Sequence, residues 1–321
     1  MKKAILIIAG LFLITLVSPI SWAADLGGKK ILFVDSYHEG YAWSDGITQG
    51  IKDVVSSTGA NLKIFRMDTK RNGSDEFKTQ AALKAKALIE EFKPDVVIAA
   101  DDNASKFLIM PFYKNADLPV VFCGVNWDGG VYGYPYKNAT GMVEVTPMPQ
   151  LIEQLKPFAE GEKIGFLGPD MLTSRKEVDN LKKTFGLQVA TYFAKDFEDW
   201  KKGFKQMQEQ ADIVYLDTDG GLYKDHADEM KSFVESNTIK PTGASYDFMA
   251  PYALITFAKI AREQGQWAGD AAVKILSGTP ASTIPIAQNK EGELIINARI
   301  AGALDLEIPF EILESAGKII E

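Results

Sequence analysis

Short apolar runs rich in β-branched residues alternate with amphipathic stretches of helix length along most of this chain. A run that is apolar on both faces belongs inside a parallel sheet, and the segments between such runs must cross over as helices that cover the sheet. Strands are predicted over residues 30–35, 62–66, 96–100, 120–123, 163–167, 188–193 and 213–217, and helices over 44–57, 74–92, 147–155, 174–185, 199–210 and 220–236. In the second helix Phe77, Ala81, Ala85, Leu88 and Phe92 recur at spacings of three and four, which makes one stripe for burial. The unit strand, polar loop, helix, strand starts at Lys30 and again at Lys163. The pattern predicts an α/β fold of two doubly wound lobes with a cleft between them. No Pro- or Ser-rich linker separates the halves, so short strand-like crossings are expected to join them.

The amino terminus reads differently. Lys2 and Lys3 precede the apolar run 4–17, and Ser21-Trp22-Ala23 offers a small-x-small cleavage site, so residues 1–23 read as a secretory signal peptide too short to span a bilayer comfortably. No cysteine stands at the cleavage site to take a lipid. The chain carries 35 Lys and Arg against 43 Asp and Glu, a net charge of -8, and removing Lys2 and Lys3 leaves it more acidic. That balance argues against nucleic acid and anionic lipid as partners. Cys123, the single cysteine, excludes an internal disulfide and lies in an apolar stretch, as a buried inert thiol would. His38 and His226 lack the spacing of a zinc site, and neither a metal nor a cofactor is expected.

Ligands of open parallel sheets bind beyond the carboxyl ends of the strands. The loop after the first strand, Ser36-Tyr37-His38-Glu39-Gly40-Tyr41-Ala42-Trp43, concentrates aromatic rings that can stack on a flat ligand. Ser36, Tyr37, His38 and Trp43 are assigned to ligand contact, while Tyr41 divides between that role and an apolar cap on a helix begun by Ser44. After the third strand, Asp101-Asp102-Asn103 opens another helix. One aspartate suffices as a cap, so the other is expected to face the cleft and to prefer an amine, an N–H edge or a hydroxyl. Asn126 and Trp127 end the fourth strand. From the second half, Thr173, Ser174, Asp217, Tyr246 and Asp247 are expected to complete the site. Asp217-Thr218-Asp219-Gly220-Gly221 is similar to the opening of aspartate-based phosphatases, but Gly221 departs from that pattern and the oxygen ligands are too few for a calcium loop. No phosphate-cradling glycine loop and no Gly-x-Ser-x-Gly occurs.

With these loops in place, the chain resembles the ABC-transporter substrate-binding family of type I periplasmic binding proteins, of the tryptophan/tyrosine type. The resemblance is firmest at 269–278, 284–286, Ile296-Asn297 and 304–309. The first lobe also resembles the periplasmic sensing region of bacterial histidine kinases, through Ser36-Tyr37-His38, Trp43, 67–71, 101–104 and 122–126. The resemblance implies an N-terminal lobe of 24–142 and 247–282 and a C-terminal lobe of 143–246 and 283–321, with crossings near Thr140, Tyr246 and Thr283. It implies a periplasmic, non-enzymatic monomer that closes on an aromatic amino acid, nucleobase or organic amine and docks on an ABC permease or a sensor kinase in the inner membrane. Where the amino-acid binders carry a Gly-Thr type loop, this chain has Asp101-Asp102-Asn103, which repels a carboxylate, so an aromatic amino acid would have to place its carboxylate against Thr173 and Ser174. The reading from another class is an exported hydrolase that uses the same cleft.

Overall fold

The computed structural model describes residues 25–218 and 224–321. The leader 1–23 and the residues Asp219, Gly220 and Gly221 of the acidic loop lie outside the described residues. Two sheets organise the rest. The first contains β1 (Lys30–Asp35), β2 (Asn61–Arg66), β3 (Val96–Ala100), β4 (Val120–Asn126), β5 (Ala139–Glu144) and, much later in the chain, β11 (Ala287–Gln288), in the order β11-β5-β4-β3-β1-β2. All its pairings are parallel. The second contains β6 (Ile164–Pro169), β7 (Val189–Ala194), β8 (Ile213–Leu216), β9 (Thr242–Ala244), β10 (Ile255–Lys259), β12 (Gly292–Asn297) and β13 (Lys318–Ile320), in the order β13-β12-β10-β9-β8-β6-β7. Here β10 and β12 run antiparallel and the other pairs parallel. Apolar burial follows the sequence pattern: every residue of β3 is buried, as the interior of a parallel sheet demands.

Helices cover both sheets. Ala42–Val55 packs against Ala261–Leu276, and the approach is close because glycines face each other: a Cβ on Gly50 would lie 2.2 Å from the Arg262 carbonyl oxygen, and one on Gly265 would lie 2.1 Å from that of Ile47. This contact holds the late helix, and with it Lys259 and Ala261, beside the first loop of the chain. Cys123 is free and buried under the same helix pair, and burial pushes its thiol up from the usual range.

Several boundaries differ from the sequence expectations. The first helix begins at Ala42 with Tyr41 as N-cap, and Ser44 instead turns inward to donate to Asp35 Oδ1 at 2.9 Å. The helix expected over 220–236 is observed from Ala227 to Asn237 within the described residues. The chain changes sheets after Glu144, close to the expected Thr140, after Lys259, well past the expected Tyr246, and after Gln288, close to the expected Thr283. The reason is that 139–144 and 255–259 finish as strands before they cross, and β10 is locked into the second sheet by its antiparallel partner β12. Two crossings are stitched together, since Val145 N–H donates to Asn289 Oδ1 at 2.7 Å while Asn289 Nδ2 donates back to the Val145 carbonyl at 3.1 Å.

Candidate ligand-binding cleft

Between the carboxyl ends of the two sheets lies a cavity of about 610 Å³, lined from the first lobe by Tyr37, Tyr41, Ala42, Trp43, Lys70, Asp101, Asn126, Glu144 and Ala261, and from the second by Thr218, Ser245, Tyr246, Asp247, Phe248 and Lys259. Asp101 forms its floor. The residue follows β3 directly, takes the left-handed backbone conformation (φ 66°) and is 2 % exposed. Its Oδ1 accepts from the Trp43 indole at 2.9 Å, while its buried Oδ2 has no hydrogen-bond partner among the described residues. Burial, then the nearby Asp35 and Glu144 carboxylates, hold this carboxyl well above the usual range. Gly124 makes room: it too has φ 66°, and a Cβ there would sit 2.7 Å from Asp101 Oδ1. A left-handed non-glycine residue beside such a glycine is local strain of the kind that collects at functional sites.

Aromatic rings wall the cavity. Tyr37 and Tyr41 meet edge to face with centroids 5.4 Å apart, and Lys70 Nζ lies 5.1 and 4.9 Å from their centroids. Burial, with Asp101, Asp102 and Glu144 nearby, keeps the Tyr37 hydroxyl protonated far beyond neutral pH. On the crossing side stands an ion pair between lobes: Lys259, at the end of β10, reaches Glu144 Oε1 at the end of β5, with side chains 6 % and 10 % exposed. Lys259 Nζ also lies 4.4 Å from the Tyr246 ring centroid and 3.3 Å from its hydroxyl. Burial works against the Lys259 charge, but Glu144 and Tyr246 outweigh it and hold the ammonium above its usual range.

Of the residues expected from the sequence, Tyr37, Trp43, Asp101, Asn126, Tyr246 and Asp247 come together in this lining. The others do different work. Ser36 ties β1 to the helix after β3, donating to the Ala100 carbonyl at 2.5 Å and accepting from Ala104 N–H at 2.8 Å. His38 lies off the lining and places Nδ1 2.8 Å from the carbonyl of Glu39. Asp102 stands behind Asn126: Asn126 Nδ2 donates to its Oδ2 at 2.5 Å and the Tyr132 hydroxyl to its Oδ1 at 2.9 Å. Asn103 donates to Thr69 at 2.9 Å. Thr173 is exposed on the helix Leu172–Phe185, whereas Ser174 is buried and donates to Asp217 Oδ2 at 2.7 Å, so that pair serves the second lobe and not the lining. Trp127 joins the lobes elsewhere, donating its indole N–H to Glu177 Oε2 at 2.8 Å, while Thr146 donates to Oε1 of the same carboxyl.

Glu144, Lys259, Lys70, Ser245, Thr218 and Phe248 were not among the expected residues. The available signal was a charged residue closing an apolar run: Glu144 ends ATGMVE and Lys259 ends ITFAK. Among the described residues, no three His, Cys, Asp or Glu side chains converge as metal ligands would. The lining can offer aromatic faces, a buried carboxyl oxygen without a partner among the described residues, and amide or hydroxyl groups to a molecule of modest size.

The comparisons agree with this architecture. No curated protein matches the sequence. A substrate binding protein with adhesive properties from Clostridium difficile, solved ligand-free and open, superposes with a TM-score of 0.71 at 21 % identity, over 91 % of this chain and 99 % of that one. An ABC domain in complex with L-Trp from Streptococcus pneumonia gives 0.58 at 20 % identity, over the same shares. A periplasmic ribose ABC transporter structure from Conexibacter woesei DSM 14684 gives 0.58 at 13 % identity, over 88 % of this chain and 96 % of that one. These neighbours share the type I periplasmic binding protein fold. The family model described as ABC transporter substrate binding protein matches residues 34–320, and this chain belongs to that family.

Proposed function

We propose that this protein is exported to the periplasm, closes its two lobes on a small ligand and presents the closed complex to an ABC permease or a membrane sensor. Closure serves as the mechanism, because a ligand that touches both lobes only in the closed state stabilises that state by its differential affinity. The observation that carries the reading is the buried, unpartnered Asp101 oxygen on the floor of an aromatic cavity whose walls come from both lobes. An oxygen so placed costs free energy until a ligand donor meets it. The leader-like residues 1–23 support export. Aromatic amino acids, nucleobases and organic amines fit the wall chemistry.

Thermal unfolding of residues 24–321, stripped of any carried-over ligand, against a panel of these classes tests the reading. A ligand at a hundred times its Kd adds about 2.7 kcal/mol, worth roughly 2–4 °C per kcal/mol in a protein of this size. A saturable rise with one class is expected, and no rise with any member refutes the solute-binding role.

A further inference from the structure

The cleft is lined by more acids than bases. Its titratable acids are Asp101, Glu144 and Asp247, and its bases are Lys70 and Lys259. Both bases are engaged, Lys259 by Glu144 and Lys70 over the rings of Tyr37 and Tyr41. Lys259 is therefore not an unclaimed partner for a ligand carboxylate, while Lys70 has no carboxylate partner among the described residues and lies over the two rings alone. Of these acids, Asp101 is the one with a buried oxygen, Oδ2, that has no partner among the described residues, on a residue that lines the cavity beside aromatic faces that themselves favour cations.

Resting on the solute-binding reading, we propose that the ligand is an organic monocation, a protonated amine without a carboxylate, whose ammonium donates to Asp101 Oδ2 while its apolar part lies against Tyr37 and Trp43. The groups facing Asp101 fix the protonation chemistry. Asp35, behind it on β1, is neutralised by Arg66 from β2 and bonded by Ser44 from the first helix. Glu144 from β5 is paired with Lys259, Trp43 donates to Oδ1, and Asp102, the Cys123 thiol and the Tyr37 hydroxyl supply no positive charge. Burial and these neighbours therefore favour the protonated form of Asp101 when no cation stands against it. When an ammonium enters, the carboxyl O–H bond breaks, its proton leaves to solvent, and the resulting carboxylate and ammonium form a charge-assisted hydrogen bond. Amine uptake releases one proton, and the affinity rises with pH by up to about tenfold per pH unit until Asp101 ionises unaided.

Three ligands on one scaffold, tryptamine, tryptophol and tryptophan, each also tried as the phenyl analogue, are titrated by calorimetry between pH 5 and pH 8 in buffers of different ionisation enthalpy. The amine is expected to bind at least tenfold more tightly than the alcohol or the amino acid, with release of about one proton. Asp101→Asn, which keeps the Trp43 bond and loses the charge, is expected to lose that preference while melting no lower than the native protein. Equal or tighter binding of the alcohol or the amino acid, or an undiminished amine preference in D101N, overturns the monocation assignment and leaves solute binding standing. Absence of binding by every ligand in the native protein overturns both.

Discussion

Glu177 offers the sharpest stability test because its environment is mismatched to its charge. Its carboxyl joins the lobes, accepting from Trp127 on one and from Thr146 at the crossing, and burial followed by the nearby Asp217 pushes it from 4.5 up to about 7. A group whose folded pKa is raised binds more protons in the native than in the unfolded state, so stability falls as pH rises from about 4.5 to about 7 and is level above that. At 1.36 kcal/mol per pH unit the loss reaches about 3 kcal/mol. Glu177→Gln keeps an oxygen for the Trp127 indole and offers an N–H₂ that the Thr146 hydroxyl can accept, yet never charges. The variant should match the native protein at pH 4.5 and exceed it by about 2–3 kcal/mol at pH 8, a gain of several degrees in Tm. Urea unfolding of both proteins at half-unit steps across that range reads the difference directly. A difference that does not change with pH, or a variant less stable than the native protein at pH 8, refutes the account of Glu177 as a half-buried, reluctantly ionised clasp.

Two further substitutions follow from the packing. Lys259→Met leaves Glu144 buried without its partner and should cost about 3–5 kcal/mol, much of it recovered in the double variant with Glu144→Gln; a single-variant loss below about 1 kcal/mol in chemical denaturation contradicts the interlobe ion pair. Gly265→Ala forces a Cβ to 2.1 Å from the Ile47 carbonyl oxygen and should lower stability by about 1–3 kcal/mol in spite of the better helix propensity, whereas Gly302→Ala, with open space around it, should be neutral or stabilising. Equal melting temperatures for the two alanine variants would show that the helix pair tolerates separation.

The sequence was legible where one local rule decided the outcome. Residues of β1, β3 and β4 are apolar because both faces of those strands are covered, and the same residues end in the loops that reach the cavity. Tyr37, Trp43 and Asp101 could be placed in the cleft on that ground alone. Which of two adjacent aspartates faces inward could not, because it depends on the left-handed turn at Asp101 and on Gly124, which belongs to a different strand. The crossing wall was hidden for a related reason. Glu144 and Lys259 stand 115 residues apart, and each taken alone is an ordinary charged residue at a strand end. Trp127 and Glu177 likewise become a pair only once the two sheets are set against each other. The antiparallel β10–β12 pairing keeps β10 in the second sheet, so the chain leaves that sheet only after Lys259, later than the crossing expected near Tyr246.

These hidden pairs also bind the cleft to the crossings. Glu144 is at once a wall of the cavity, the partner of Lys259 across the lobes and one of the charges that raise the Asp101 carboxyl. Any rearrangement of the lobes that loosens Lys259 from Glu144 exposes Asp101 to more uncompensated negative charge and makes its ionisation harder. By reciprocity, a ligand that ionises Asp101 favours the arrangement in which Lys259 keeps Glu144 neutralised, by the same free energy. On the monocation proposal, ligand charge and lobe geometry are coupled through one carboxylate. A neutral ligand of the same shape fills the cavity without drawing on that coupling, so it should shift the lobe equilibrium less than an amine bound to the same occupancy.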